Sequence, residues 1–216
     1  YKPDLVLGTG GSVSFPVVLA AILYRKKTAV LEVNARPSRV NRWLGFFTNR
    51  VFFTFERCAK FFNNKKSANL GNPVRMEILA NYLKERQKHQ KFTVLVLSSD
   101  KLPRLFNNQV LAAFSHLSIN LGSQLKVIHQ STCQKEMELD GIYKQMSIEV
   151  EVVDYIEDMA EAYCQADLVV SRAGATTVTE LTICKRSAIF IPSPLREDYH
   201  ETENARALTN YRAAYM

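Results

Sequence analysis

The chain has 216 residues, of which 47% are hydrophobic and 23% are charged, a balance that is too apolar for a disordered protein and fits one large domain or one and a half. Its 28 Lys and Arg outnumber 21 Asp and Glu, giving a formal net charge of +7 that favours anionic partners such as phosphates, anionic lipid or nucleic acid. The four cysteines form no CxxC pair and have no metal-ligand spacing with the four histidines, which argues against a disulfide framework or a zinc site.

Short apolar segments alternate with amphipathic segments along the whole chain, which predicts βα units around parallel sheets. Strands are predicted at residues 4–7, 28–33, 50–54, 93–97, 125–129, 148–153, 167–171 and 188–191. Helices are predicted at residues 14–24, 39–46, 74–87, 104–121, 159–166, 177–184 and 201–208. The fold class is therefore α/β, of the doubly wound type. No apolar run reaches the roughly 18 residues that would span a bilayer.

The turn-rich stretch at residues 59–72 interrupts this alternation and predicts a boundary between two lobes. We place the first lobe at residues 1–75 and the second at residues 76–216. The first lobe contains only three predicted strands, so we expect part of it to lie upstream of Tyr1. We also expect the second lobe to be truncated, because a further strand begins near Met216.

A glycine-rich turn follows the first strand and precedes the first helix, with the sequence Gly8-Thr9-Gly10-Gly11-Ser12. Free backbone N–H groups and the positive helix end can bind a phosphate at such a turn, and glycine lets a diphosphate approach closely. A tight turn without a ligand is the alternative. A dinucleotide fingerprint would need a further glycine where the chain has Val13-Ser14-Phe15, which argues against an oxidoreductase.

A second turn between strand and helix lies in the segment from Asp167 to Glu180. The strand ends at Ser171, and Thr176 or Thr177 is expected to cap the following helix. That helix start suits a diphosphate, and Glu180, about one turn further, could accept hydrogen bonds from two ribose hydroxyls. A capped helix with a surface glutamate is the alternative.

A polar cluster at residues 198–204 follows the last predicted strand, in the position where open α/β sheets bind ligands. An ordinary helix start is the alternative for this cluster. His200 could act as a general base or as a capping residue, and the residue pattern leaves both open.

In combination, these segments resemble the MurG family of UDP-N-acetylglucosamine transferases that act on lipid I, along nearly the whole chain. The resemblance is carried by residues 2–14, 71–75, 129–131, 155–159, 172–180 and 200–205, in the family's order. It implies a two-lobed GT-B fold with Rossmann-like lobes, the first one incomplete. It also implies an inverting hexosyltransferase that moves N-acetylglucosamine from UDP-N-acetylglucosamine to lipid I to form lipid II, without a metal or another cofactor.

Site residues follow from the resemblance, position by position. The acceptor pyrophosphate is assigned to Gly10, Gly11 and Ser12. Glu32, retained from a His-Glu-Gln-Asn run that here reads Leu31-Glu32-Val33-Asn34, is assigned a catalytic role. The donor is assigned to Asn34, Arg75, Asp100, Ile156, Ala175, Thr176, Thr177, Val178, Thr179, Glu180 and Glu201.

Two departures from the family pattern affect the donor residues and leave other functions open. Asp100 replaces a serine near the expected diphosphate, where a carboxylate repels the ligand unless Lys101 or Arg104 compensates. Glu201 replaces a glutamine. The alternatives are another GT-B UDP-sugar transferase acting on a lipid, a sugar-nucleotide epimerase, and a non-catalytic sugar-nucleotide-binding homologue.

Basic and aromatic residues lie together at residues 24–27 and 52–66, which predicts contact with an anionic membrane surface. A solvated basic surface is the alternative. We expect a peripheral protein on the cytoplasmic face of the bacterial plasma membrane. No DNA-binding or RNA-binding motif accompanies the basic clusters, so nucleic acid is not an expected partner.

Overall fold

The computed structural model describes residues 2–81, 90–98, 102–132, 136–195 and 199–216. The first group of elements comprises β1 (Leu5–Gly8), α1 (Gly11–Leu23), β2 (Lys27–Glu32), α2 (Arg39–Phe47), β3 (Arg50–Phe53), a 3₁₀ turn (Glu56–Phe61) and β4 (Ser67–Asn69). The second group comprises α3 (Met76–Asn81), β5 (Phe92–Leu97), α4 (Pro103–Leu121), β6 (Leu125–Gln130), α5 (Glu136–Gln145), β7 (Glu149–Val153), α6 (Met159–Gln165), β8 (Leu168–Ser171), α7 (Ala175–Cys184), β9 (Ser187–Phe190), α8 (Tyr199–Thr209) and β10 (Ala214–Tyr215).

Two separate parallel sheets organise these elements. The first has the order β1-β2-β3-β4, and Val18, Val30 and Leu44 are buried between its strands and the helices α1 and α2. The second has the order β10-β9-β8-β5-β6-β7. The predicted α/β class with parallel sheets is confirmed.

The second sheet is doubly wound, and its strand order reverses between β5 and β8. From β5 the chain adds β6 and β7 on one side, then returns to add β8, β9 and β10 on the other. The connections leaving β5 and β8 therefore diverge, and a crevice opens at the carboxyl ends of these two strands. Ligands of open α/β sheets bind at this type of switch point.

Strand β5 shows why the apolar runs of the sequence predicted buried strands. Val94 and Val96 pack into the core on one face of the sheet, and Leu95 packs into the core on the other face. Side chains alternate across a strand, so a strand covered on both faces needs apolar residues at consecutive positions.

Several predicted elements differ from the structure. Helix α5 was not predicted, and neither was the short edge strand β4. Helix α1 begins at Gly11, three residues before its predicted start. The predicted helix at residues 74–87 corresponds in its first part to α3, and the remainder lies outside the described residues. Among the helices that the structure describes, none is long and apolar enough to cross a bilayer.

Candidate functional site

A cavity of about 440 Å³ lies at the carboxyl edge of the second sheet, at the switch point. The ends of β5 and β8 contribute Leu97, Ser98, Ser171 and Arg172 to its walls. The loop after β7, helix α6 and the beginning of α7 provide most of the remaining wall. The cavity therefore has the position that the topology of the sheet predicts for a ligand.

One end of the cavity is apolar. Tyr155 and Ile156 follow β7, and Met159 begins α6. Asp158 caps α6 by accepting a hydrogen bond from Glu161 N at 2.8 Å, which fixes the turn that carries these side chains. An aromatic base could pack on this surface, because it provides apolar contact beside polar groups.

Glu180 forms the wall next to the apolar end and is only 4% exposed. Its Oε1 accepts a hydrogen bond from Arg75 Nη2 at 3.2 Å, and its Oε2 accepts one from the Tyr163 hydroxyl at 3.0 Å. Burial and the nearby Glu180 charge raise the pKa of Tyr163, so its hydroxyl stays protonated and donates. The alternative of a surface glutamate is therefore wrong.

Helix α7 contains Glu180 and begins five residues earlier, at Ala175, without a side-chain cap from the described residues. The residue before its first turn is Gly174, and no side chain of the described residues accepts a capping hydrogen bond there. The predicted cap by Thr176 or Thr177 is wrong, and the Thr179 hydroxyl instead donates to Ala175 O at 2.8 Å. Gly174 and Thr177 line the cavity, so the uncapped, positive end of the helix adjoins it.

Glu201 also lines the cavity and lies near the start of α8. It is 8% exposed, and its Oε2 accepts a hydrogen bond from Ser193 N at 2.7 Å. A second groove of about 670 Å³ adjoins α8 and is lined by Asn34, His200 and the arginines at positions 36, 39 and 42. The polar cluster that was predicted after the last strand thus contributes to both cavities.

Asn204 connects the two sheets between these cavities. Its Oδ1 accepts a hydrogen bond from Ala35 N at 2.7 Å, and its Nδ2 donates to Asn34 Oδ1 and to Ala173 O, each at 3.1 Å. Asn204 is fully buried. It therefore fixes the loop after β2 against the strand end that leads into α7.

Glu32 organises that same loop. Its Oε1 accepts hydrogen bonds from Asn34 N at 3.0 Å and Asn34 Nδ2 at 3.2 Å. Its Oε2 accepts them from Ser38 N at 3.1 Å and Asn41 Nδ2 at 2.8 Å. With 1% exposure and both oxygens engaged, Glu32 has the contacts of a positioning residue. The catalytic role assigned to it stays a prediction.

The glycine-rich turn before α1 has backbone angles that favour glycine. Gly10 has a φ of 96° and Gly11 has a φ of 78°, and within the described part of the chain no side chain caps the helix that starts at Gly11. A Cβ at Gly10 would lie 2.9 Å from Asn41 Nδ2. Ser12 follows in the first turn of the helix, and the acceptor role of these three residues stays a prediction.

Residues 93–216 match the model of the glycosyltransferase family 28 C-terminal domain, and residues 1–53 match that of the glycosyltransferase family 28 N-terminal domain. The chain belongs to glycosyltransferase family 28. A relative in this family, from Myxococcus xanthus (strain DK1622), is named UDP-N-acetylglucosamine--N-acetylmuramyl-(pentapeptide) pyrophosphoryl-undecaprenol N-acetylglucosamine transferase. It is 42% identical over 215 residues, which are 100% of this chain and 56% of the relative.

Further relatives agree with this family 28 assignment. A transferase of the same name from Anaeromyxobacter sp. (strain Fw109-5) is 41% identical and is covered over 56% of its length. The crystal structure of Acinetobacter baumannii MurG has a TM-score of 0.78 at 29% identity, over 98% of this chain and 59% of that one. A UDP-N-acetylglucosamine 2-epimerase with a TM-score of 0.68 is 13% identical and shares the fold alone. The predicted MurG resemblance and GT-B fold are confirmed, and the chain spans a little over half of these relatives.

The structure brings part of the predicted donor set of this family 28 chain into one cavity. Five predicted residues line it: Arg75, Ile156, Thr177, Glu180 and Glu201. Asn34 lines the neighbouring groove, and Asp100 lies outside the described residues. Ala175, Thr176, Val178 and Thr179 belong to the first turns of α7, where Val178 is buried in the core.

Sequence reasoning missed the cavity roles of Tyr163 and Arg172. Tyr163 was not among the predicted site residues, although a tyrosine within an apolar helix face needs a partner for its hydroxyl. Arg172 directly follows an apolar strand and precedes a glycine turn. A cation directly after a buried strand could therefore have indicated Arg172 as a site residue.

Proposed function

We propose that this chain is part of an inverting glycosyltransferase that transfers N-acetylglucosamine from UDP-N-acetylglucosamine to lipid I and forms lipid II in peptidoglycan synthesis. The names of the relatives support the substrates, which we transfer to this chain by similarity. The observation that carries the proposal is the buried Glu180 carboxylate beside the uncapped start of α7. This arrangement supports the proposal, because a carboxylate can accept hydrogen bonds from ribose hydroxyls and the N–H groups of a helix start suit phosphates.

In the proposed complex the donor lies along the cavity from its apolar to its polar end. The uracil packs near Ile156, the ribose hydroxyls donate to Glu180, and the diphosphate lies at the start of α7. Glu201 faces the N-acetylglucosamine. Arg75 holds the Glu180 carboxylate in place through its 3.2 Å hydrogen bond, and its half-exposed side chain also faces the donor.

In the proposed reaction the hydroxyl at position 4 of the muramoyl sugar attacks the anomeric carbon of N-acetylglucosamine. The bond from that carbon to the diphosphate oxygen breaks, its electron pair stays with UDP, and the proton of the acceptor hydroxyl passes to a general base. Helix N–H groups that point at the diphosphate stabilise the growing negative charge without reorganising. Glu32 acts by holding the loop that carries Asn34.

We further propose that the two lobes divide these tasks at residues 75 and 76. Elements β1 to β4 belong to the acceptor lobe, and Gly10, Gly11 and Ser12 would face the acceptor pyrophosphate. Elements β5 to β10 belong to the donor lobe. The two separate parallel sheets support this division.

Contact with an anionic membrane surface, on the cytoplasmic face of the bacterial plasma membrane, is part of the proposal. Tyr24 is 80% exposed next to Arg25 and Lys26, and Phe46 on the adjoining helix α2 is 75% exposed. The predicted cluster at residues 52–66 has less support, because Phe53 is buried.

Calorimetric titration of the chain with UDP and with ADP tests the donor site. We expect UDP to bind and ADP to bind at least tenfold more weakly, because the relatives are named for a uridine nucleotide donor. Absence of UDP binding would overturn the proposal.

In the protein that contains this chain at its full length, we expect transfer from UDP-N-acetylglucosamine to a lipid I analogue. Transfer to diacylglycerol alone would reject this acceptor, and UDP binding without any transfer would indicate a binding protein.

A further inference from the structure

Arg172 is a buried cation whose guanidinium is only partly paired. Its side chain follows β8, lines the cavity and is 7% exposed. Nη1 donates to Ile191 O at 2.8 Å, and Cζ lies 5.3 Å from the centre of the Phe106 ring. Within the described part of the chain, its Nε and Nη2 are shielded from solvent and have no hydrogen-bond partner.

Two hydroxyl groups at the same switch point are also buried without a hydrogen-bond partner among the described residues. Ser98 follows β5 and Ser171 ends β8, and these strands are neighbours in the sheet, with Leu97 opposite Ser171. The Oγ atoms of both serines are buried, and no described residue provides a partner for either. Both serines line the cavity with Arg172. Three polar side chains that line the cavity therefore carry buried N–H or O–H groups without a partner among the described residues, and such groups suit anionic oxygen.

The carboxylates that line the cavity already have other partners. Glu180 is held by Arg75 and Tyr163, and Glu201 accepts from Ser193 N. Among the described lining residues the cations are Arg75 and Arg172, and Arg75 is paired with Glu180. A buried cation with unpaired donors costs free energy, and an anion that enters the cavity would relieve that cost.

We propose that Arg172, with the hydroxyls of Ser98 and Ser171, binds phosphate oxygens of the nucleotide diphosphate and is the principal cation for that group. This inference rests on the proposed donor site. It assigns Arg75 chiefly to the orientation of Glu180 and assigns the diphosphate charge to Arg172. The planar guanidinium suits phosphate oxygens because it offers paired N–H donors. The unpaired charge of Arg172 therefore lowers the free energy of unfolding of the unliganded protein. A bound ligand that pairs with this charge raises it again.

The test compares UDP with uridine in the parent chain and in Arg172→Met. The ratio of the two dissociation constants measures the contribution of the phosphates alone. We expect this ratio to fall by roughly 10-fold to 100-fold in Arg172→Met, the range for hydrogen bonds to a charged group. Uridine affinity should stay unchanged. Without ligand, the Met variant should melt at a temperature at least as high as the parent, since an unpaired buried charge is removed. Arg172→Lys should recover part of the ratio.

Arg186 provides the matched control, because its Nε is also buried without a partner in the described structure and the residue does not line the cavity. Arg186→Met should leave the ratio unchanged. If Arg172→Met keeps the parental ratio, the inference is overturned while the donor site stands. If it loses uridine and UDP affinity equally and melts earlier, Arg172 is structural and the inference is again overturned. If the parent itself binds no UDP, the proposed function fails.

Discussion

At the scale of single residues, the site depends on how each carboxylate is paired. Glu180 was predicted from its spacing after a strand end, and its partners Tyr163 and Arg75 come from α6 and from the loop after β4. These contacts hold the carboxylate in the cavity wall. Its proposed partners, two ribose hydroxyls, would complete its hydrogen bonding.

We therefore predict that Glu180→Gln weakens UDP binding by about 1–3 kcal/mol, because a charged acceptor becomes neutral and one of its oxygens becomes a donor. Calorimetry with UDP measures this loss. A UDP analogue without ribose hydroxyls should bind the variant and the parent alike. Glu203→Gln is the control, since Glu203 pairs with Arg57 and Arg206. Equal affinity of Glu180→Gln and the parent for UDP would remove Glu180 from the site.

A second prediction concerns His129, which is fully buried in β6. Its Nδ1 lies 3.0 Å from the Tyr143 hydroxyl and its Nε2 lies 3.2 Å from Asn107 Oδ1. Burial lowers the pKa of His129 to about 4. The unfolded chain, with a histidine pKa of about 6.5, thus binds the proton first. The stability that neutral His129 contributes is complete above pH 6.5 and is lost as the pH falls towards 4.

Urea unfolding of the parent chain between pH 7 and pH 4 should therefore show a loss of up to about 3 kcal/mol from this residue. In His129→Gln, which cannot titrate, that part of the pH dependence should be missing. The difference between the two curves isolates His129 from the carboxylates that titrate in the same range. Parallel curves for the two proteins would contradict the assignment.

At the scale of elements, both proposed phosphate sites are helix starts without side-chain caps, and one of them needs glycine. We predict that Gly10→Ala destabilises the chain by about 1–3 kcal/mol, because a φ of 96° strains an L-residue and its Cβ would meet Asn41. Gly141 in α5 is the matched control, with open space around the Cβ position. Gly141→Ala should stabilise the chain by about 0.5–1 kcal/mol. Urea unfolding checks both, and a neutral Gly10→Ala would show that the turn tolerates a side chain.

The elements that the sequence predicted are those whose burial leaves a pattern. Strand β5 is buried on both faces and reads as a run of apolar residues, so its position was predictable. Strand β4 has three residues at a sheet edge, two of them polar, and has no such run. Helix α5 was missed because charged residues and Gly141 obscure the spacing of Leu139 and Tyr143, which are both in the core.

Some site residues could likewise be predicted from local sequence spacing, and others could not. Glu180 lies at a fixed distance after the end of β8, so a local pattern was enough to find it. Contacts between segments that are distant in the sequence produce no local sequence pattern. The hydrogen bonds of Asn204 with Asn34 and Ala35 join residues about 170 positions apart, and only the folded chain brings them together.

At the scale of the whole molecule, helices α1 and α2 beside the first sheet carry exposed apolar side chains, which we call the apolar face. Helices α1 and α2 contribute to it Val13 at 83% exposure, Leu23 at 74% and Phe46 at 75%. Trp43 lies in the same face, with its ring 5.3 Å from Phe15 and 4.6 Å from Phe47 between ring centres. Arg25 and Arg42 are exposed nearby in the chain, and Lys26 is half-buried. Apolar side chains beside basic ones suit an anionic bilayer surface.

Trp43 is the single tryptophan of the chain, so its fluorescence reports on this face alone. We predict that its emission shifts to shorter wavelength when vesicles containing phosphatidylglycerol are added, because the ring moves from water into the interfacial region. The shift should weaken in high salt, which screens the basic residues, and with zwitterionic vesicles.

Tyr24→Ser combined with Phe46→Ser should reduce vesicle flotation about tenfold or more, through lost apolar burial. Ile119→Ser removes an apolar side chain of 78% exposure from α4, on the second sheet, and should float like the parent. If Ile119→Ser reduces flotation as much as the double variant, contact occurs through general surface apolarity and this face is not the docking surface.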